Sequence, residues 1–214
     1  MDELELLKKE WQSREQELPK LTYNDIYKML LKKSSSIVKW IFYISIAELV
    51  FWTALSFFIP ESSRRVNDGM GLHDITIVAN ILNYIIFAVF IYLFWQNSRK
   101  IKVTDSVRAL MRNILNTRKT VKYFVFYNIG VSALSLLVVN IYFYFERERL
   151  YELLQDSEGF ATIPMEKFST VFFLVQFLVG LVLIGLLLLF YRLVYGILMR
   201  RLKRNYKELA KMEL

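Results

Sequence analysis

Glu48 is the side chain with the clearest chemical potential in this 214-residue sequence. It lies within residues 40–59, a stretch that is otherwise free of charge and long enough to cross a bilayer. An ionisable group inside a membrane span is by default a candidate proton carrier, ion carrier or ligand partner. The alternative is structural, because a buried glutamate can stay protonated and hydrogen-bond to neighbouring helices.

Polar side chains in the other apolar stretches could form two tiers. Depths counted at about 1.5 Å per residue from the inner end of each span predict an inner tier: Glu48, Asn83, Asn128 and Ser132. Residues that lie equally far inside the outer ends predict an outer tier: Asn80, Asn140 and Gln176. Interhelical hydrogen bonding and a polar path for an ion or proton both remain open for these residues.

Other catalytic chemistry has little support in the residue types. The sequence has no cysteine and a single histidine, which excludes disulfides, thiolate chemistry and any site that needs two imidazoles from one chain. That histidine, His73, stands beside Asp74, but no nucleophile motif or metal partner accompanies the pair. No metal site, no cofactor and no catalytic residue are predicted.

Four apolar helices must position the candidate side chains. Spans are predicted at about 38–59, 75–96, 123–145 and 168–191. Because 55% of the chain is hydrophobic, a soluble bundle would lack the polar surface to cover such segments. The predicted fold is therefore all-α, an integral membrane four-helix bundle with amphipathic cytoplasmic helices, in which the bundle covers residues 37–199.

Basic residues predict the orientation of the bundle. Residues 1–39, 97–122 and 192–214 contain 8, 8 and 7 lysines and arginines, against 2 and 3 in residues 60–74 and 146–167. The positive-inside rule then places both termini in the cytoplasm. Aromatic residues near the span ends, Tyr191 and Tyr195 among them, are expected to be interfacial anchors.

The two terminal regions are predicted to be helical and cytoplasmic. Residues 1–36 form one such region, with a helix starting near Thr22 and, before it, an acidic amphipathic helix whose apolar stripe is expected to face a partner: Leu4, Leu7, Trp11 and Leu18. Residues 192–214 extend the fourth span as a basic helix. Opposite charge predicts that the terminal helices pack together, either within one chain or between the two chains of a homo-oligomer.

The middle cytoplasmic segment is predicted to be an amphipathic helix over residues 104–118, capped by Thr104. Its apolar side could lie on the anionic inner leaflet or pack on the other cytoplasmic helices. Basic residues at or just after this helix are candidates for leaflet contact: Arg108, Arg112, Arg118, Lys119 and Lys122. Nucleic-acid binding is not predicted, because membrane topology already accounts for the positive charge.

Residues 4–46 carry a family resemblance, through Leu7-Lys8-Lys9-Glu10-Trp11-Gln12, Asp25-Ile26-Tyr27-Lys28-Met29 and Lys32-Lys33-Ser34-Ser35-Ser36-Ile37-Val38-Lys39-Trp40. The sequence resembles a family of uncharacterised four-span inner-membrane proteins of Bacteroidota, which implies a bacterial inner-membrane location. Some members are labelled beta-carotene 15,15'-monooxygenase. Known carotenoid-cleaving oxygenases bind iron through four histidines, whereas this sequence has one.

Three functional hypotheses follow. The first is a non-enzymatic membrane protein whose cytoplasmic helices bind a protein partner, because most of the sequence outside the spans is cytoplasmic and patterned for helix packing. The second is a small transporter or channel subunit that uses Glu48. The third is a membrane oxygenase, as the label of the relatives implies.

Overall fold

A computed structural model describes residues 22–102, 106–155 and 163–212, and within these ranges the protein is helical without strands. The described helices are α1 (Tyr23–Ser56), α2 (Glu61–Gly69), α3 (His73–Lys102), α4 (Val107–Phe145), α5 (Arg147–Leu154) and α6 (Met165–Lys211). The predicted all-α fold is confirmed.

The four long helices α1, α3, α4 and α6 are each long and apolar enough to cross a membrane. Helices α1 and α4 both pack against α3 and α6, so the four form a closed ring with α1 and α4 on one diagonal. Chain direction alternates around this ring, and all neighbours are antiparallel. The inner end of the bundle is defined here as the end that holds the start of α1 and the end of α6, and the outer end as the one that holds α2 and α5.

Local capping sets where the helices start. Thr22 and Asp25 form a reciprocal capping box at α1, a variant of the usual Ser/Thr-x-x-Glu/Gln start with aspartate in the last position, and the helix begins where the sequence predicts. Helix α4 begins at Val107, and its cap is the Ser106 hydroxyl, which accepts a hydrogen bond from the Ala109 amide at 3.3 Å. Thr104, the cap that the sequence predicts, lies outside the described ranges.

The amphipathic segments are continuous with the spans. Helix α1 passes residue 36 without a break, α4 joins the middle segment to the third span, and α6 extends to Lys211. Leucines and isoleucines from these segments form a core at the inner end: Leu30, Leu110, Ile114, Leu202 and Leu209. The middle segment therefore packs on other helices, which is the second of the two alternatives, and it does not lie flat as a separate surface helix.

The outer end is closed by the short helices α2 and α5, which contact each other. Met70 and Leu150 are fully buried there beside Phe143 and Phe168. The Tyr142 hydroxyl donates a hydrogen bond to the Met70 carbonyl at 2.8 Å and ties α4 to the end of α2. Between this cap and Glu48, most side chains of α1, α3 and α6 are exposed, so the outer half of the bundle is more loosely packed than the inner half.

Candidate functional site

The register of α1 brings Glu48 to the bundle axis. Buried residues recur along this helix at intervals of three and four positions: Leu30, Ser34, Val38, Ile41, Ser45 and Glu48. This spacing keeps one face of a helix against its neighbours over several turns. Glu48 is the last member of the series, so its burial follows from the apolar and small residues that precede it.

Helix α6 supplies the partners of Glu48. Tyr191 and Tyr195 lie one turn apart and therefore share a face of the helix, and Leu202 and Leu209 continue the same buried face. The two tyrosines are 4% and 1% exposed. The expectation that they are interfacial anchors was wrong, because their spacing relative to the leucines turns them toward the bundle axis.

The three side chains form a hydrogen-bonded cluster, called the Glu–Tyr–Tyr cluster below. The Tyr191 hydroxyl donates to Oε1 of Glu48, and the Tyr195 hydroxyl donates to Oε2 at 3.2 Å. Glu48 is 5% exposed, and within the described part of the chain it forms no ion pair. A buried carboxyl without a cation must be stabilised by hydrogen bonds, and the two phenols provide one to each oxygen.

Aromatic rings from the neighbouring helices surround the cluster. The Phe124 ring of α4 lies 6.3 Å from the Tyr191 ring and 5.8 Å from the Tyr195 ring, centroid to centroid. Phe87 and Phe94 of α3 pack edge-on against Phe124 at 5.3 and 5.5 Å. In this apolar shell a hydrogen bond is stronger than it would be in water, and a polar group without a partner costs more free energy. The cluster therefore couples α1 to α6 with support from the other two helices.

The structure does not bring the four residues of the predicted inner tier together. Asn83 accepts a hydrogen bond from the Tyr127 hydroxyl at 3.0 Å. The Asn128 amide donates to the Phe124 carbonyl of its own helix at 2.8 Å, and Ser132 is exposed. Equal depth along a helix does not fix the direction in which a side chain points, and the direction separates these residues from Glu48.

The outer tier is brought together only in part. Asn80 of α3 and Gln176 of α6 line one cleft of about 940 Å³ near the outer end. Asn140 lies elsewhere, beside a different cavity, and its amide donates to the Leu136 carbonyl of its own helix at 2.8 Å.

The remaining predicted residues that the structure describes lie toward the inner end of α4. Arg108, Arg112, Lys119 and Lys122 are exposed and Arg118 is half-buried, and their contact with an anionic leaflet stays a prediction. The N-terminal stripe of Leu4, Leu7, Trp11 and Leu18 lies outside the described residues.

His73 pairs with a different acid from the one that the sequence suggests. Its Nδ1 lies 2.8 Å from Oδ1 of Asp68, not of Asp74, and both partners of this pair are exposed. In the described ranges no three His, Asp or Glu residues gather closely enough to hold a metal ion. The arrangement at Glu48 supports hydrogen bonding between its carboxyl group and two phenols.

Fold and site together define a multi-pass α-helical membrane protein with a buried Glu–Tyr–Tyr cluster between its first and last long helices. The chain belongs to the family described as Domain of unknown function (DUF8845), whose model matches residues 24–214. This match includes the Glu–Tyr–Tyr cluster and all the helices that surround it. No curated protein and no solved structure matches the chain.

Proposed function

We propose that this protein is a non-enzymatic, multi-pass protein of the bacterial inner membrane whose cytoplasmic helical end binds a protein partner in a regulatory or scaffolding role. The observation that carries the proposal is the packed inner end, where α1, α4 and α6 continue together beyond the apolar parts of their sequences around a shared core. Such a helical body presents side chains in fixed positions, as a binding surface requires.

A basic stripe runs along the inner end of α6. It consists of exposed residues at intervals of three or four positions, which therefore share one helix face: Arg200, Arg204, Lys207 and Lys211. Leu202 and Leu209 occupy the opposite, buried face, so packing among the described residues leaves the basic stripe exposed. A predominantly basic surface favours an acidic partner by steering encounters and selecting complementary groups.

Apolar side chains are exposed at the same end of the bundle. Tyr23, Ile26 and Met29, at the start of α1, are 53%, 38% and 45% exposed. Aromatic residues and methionine are enriched at protein interfaces. An acidic helical segment with an apolar side fits the combination of the basic stripe and these residues.

The Glu–Tyr–Tyr cluster supports a structural role for Glu48 in this proposal. Both carboxyl oxygens are bonded to phenols within the protein, which suits a fixed contact between helices. The second candidate function is proton or ion conduction. The same contacts favour it, because a proton can pass between a carboxyl group and the hydroxyl groups that are hydrogen-bonded to it. Proton flux measured in liposomes for wild type and for Glu48→Gln separates the two, since conduction through Glu48 requires the carboxyl and a structural role does not.

Affinity capture from native membranes in mild detergent tests the partner proposal. We expect a protein captured by wild type to be lost with Arg204→Glu/Lys207→Glu. It should be retained with Arg147→Glu/Arg149→Glu, a matched double reversal at exposed positions of the outer end. Deletion of residues 1–21 tests the acidic N-terminal segment without removing α1, whose buried residues begin at Leu30. Capture that survives both the reversal at the inner end and the deletion would contradict the proposal.

A further inference from the structure

The cleft that contains Asn80 and Gln176 has the size and position of a ligand site. It lies near the outer end between α2, α3, α4 and α6 and has a volume of about 940 Å³. Sites for small molecules are clefts of about 300–1,000 Å³ that combine an apolar lining with a few polar groups. The Glu–Tyr–Tyr cluster does not line this cleft, so the two sites are separate.

The polar lining of the cleft is uncharged. Among the described residues it consists of serine, threonine, asparagine, glutamine and tyrosine side chains, with no lysine, arginine, aspartate or glutamate. A charged group placed here would lose its water without gaining an opposite charge, which is unfavourable. Hydroxyl and amide groups, in contrast, would find both donors and acceptors in the lining.

Two amides in the cleft have no partner within the described chain. Three other polar side chains of the lining are bonded: Thr76 donates to Asn67 at 3.0 Å, and the Tyr142 hydroxyl donates to the Met70 carbonyl at 2.8 Å. Asn80, on α3, and Gln176, on α6, make no side-chain hydrogen bond there, although each lies within a helix that can span the membrane. An amide in the hydrocarbon region is stabilised when it finds a hydrogen-bonding group, and a bound molecule with hydroxyls would supply one to both.

The apolar lining continues onto the lipid-facing surface. Ile75 of α3 and Leu134 and Val138 of α4 line the cleft and are 65%, 61% and 54% exposed. An alkyl chain whose polar end lies between Asn80 and Gln176 could therefore pass along these side chains into the bilayer. We propose that the cleft binds a neutral, single-chain amphiphile with a hydroxyl-bearing head, of the monoacylglycerol type.

Photolabelling of the full-length protein in lipid nanodiscs tests this proposal. The probe is a monoacylglycerol with a diazirine in its acyl chain, and labelled residues are located by mass spectrometry. We expect saturable labelling on the cleft side chains that unlabelled monoacylglycerol suppresses. An anionic single-chain probe, a lysophosphatidic acid with the same diazirine chain, should label the cleft more weakly because the lining offers no positive charge.

Two kinds of variant sharpen the test. Asn80→Leu/Gln176→Leu removes the head-binding amides and should weaken probe affinity roughly tenfold, since two hydrogen bonds are lost. Val138→Trp fills the apolar part and should abolish saturable labelling. Leu137 and Asn140 of α4 line the separate cavity and not the cleft. The variants Leu137→Trp and Asn140→Leu are therefore matched controls and should be labelled like wild type.

Three results would overturn the proposal. They are labelling spread evenly over exposed apolar residues of the spans, equal labelling of the cleft by the anionic probe, and unchanged labelling in both cleft variants. Size-exclusion elution identical to that of wild type is the check that each variant is folded.

Discussion

The Tyr191 hydroxyl of α6 donates a hydrogen bond to Oε1 of Glu48 on α1, across 143 positions of sequence. Tyr195, one turn further along α6, donates to the other oxygen at 3.2 Å. Helices α1 and α6 are the first and last of the four long helices, so this contact closes the ring of four. The contact lies where the closely packed inner half meets the outer half, in which more side chains are exposed. At this position it fixes the packing of α6 against α1.

Replacing Glu48 by leucine should destabilise the bundle. The substitution leaves two buried phenol hydroxyls without an acceptor, and each unpaired group costs about 1–3 kcal/mol. Glu48→Gln keeps one acceptor and should cost less. Thermal unfolding in detergent, followed by circular dichroism, should rank the midpoints as wild type, Glu48→Gln and then Glu48→Leu.

Two comparisons make this result specific. Ser45→Ala is the matched control, because Ser45 lies one turn away on the same buried face and its hydroxyl donates only to Phe42 of its own helix. Tyr191→Phe/Tyr195→Phe should be less destabilising in the Glu48→Leu background than in wild type, by about 0.5–3 kcal/mol of coupling. Additive effects would contradict the assignment of these three residues to one cluster.

Two glycines of α6 should respond differently to alanine. A Cβ at Gly180 would lie 2.6 Å from Cδ2 of Leu136 on α4, whereas a Cβ at Gly185 would meet nothing within 4 Å. Alanine is favoured over glycine within a helix by roughly 0.5–1 kcal/mol, so Gly185→Ala should raise the unfolding midpoint. The midpoint of Gly180→Ala should be lower than that of Gly185→Ala, because the Leu136 side chain must move to make room for the new methyl group.

The background variant Leu136→Ala removes the contact at Gly180. In that background Gly180→Ala should become neutral or stabilising. An identical response of the two glycines in the wild-type background would argue against the α4–α6 packing described here.

Removing one partner of the buried hydrogen bond between Asn205 and Ser34 should cost more stability than removing both. The Asn205 amide donates to the Ser34 hydroxyl at 3.1 Å. Ser34→Ala leaves the amide unpaired and should cost about 1–3 kcal/mol, whereas Ser34→Ala/Asn205→Leu should be close to neutral. Chemical denaturation of the purified protein measures both, with the exposed Ser36→Ala as control, and a double variant as unstable as Ser34→Ala would refute the expectation.

Membrane topology can be measured by labelling single introduced cysteines, because the chain has no cysteine of its own that would react. Gln155→Cys marks the outer end and Glu208→Cys the inner end, and both positions are exposed. If both termini are cytoplasmic, as the positive-inside rule predicts, an impermeant maleimide should label Gln155→Cys on spheroplasts of the expressing cells. It should label Glu208→Cys only after permeabilisation, and the reverse pattern would invert the topology.

Several elements of this protein could be predicted from local sequence. The four spans, the capping box at Thr22 and the helical continuation of α6 depend on composition, short-range spacing and hydropathy, which are visible in the chain itself. The spacing of Tyr191, Tyr195, Leu202 and Leu209 also indicates that the two tyrosines share a helix face with the buried leucines. The prediction of interfacial anchors was wrong because position at the end of a span, where tyrosines are commonly anchors, was weighted above this spacing.

Helix periodicity places Glu48 on the same face of its span as Ser34, Val38 and Ile41, and this can be inferred from the amino-acid order. The partners of Glu48 follow from tertiary packing, which sets Tyr191 and Tyr195 opposite it, while Asn83 and Asn128 bond elsewhere. Depth in a membrane is a property of one helix, whereas a contact depends on the rotation of two helices about their own axes. That rotation is set by packing of the whole bundle, so the partners of a buried carboxyl group depend on residues far from it in sequence.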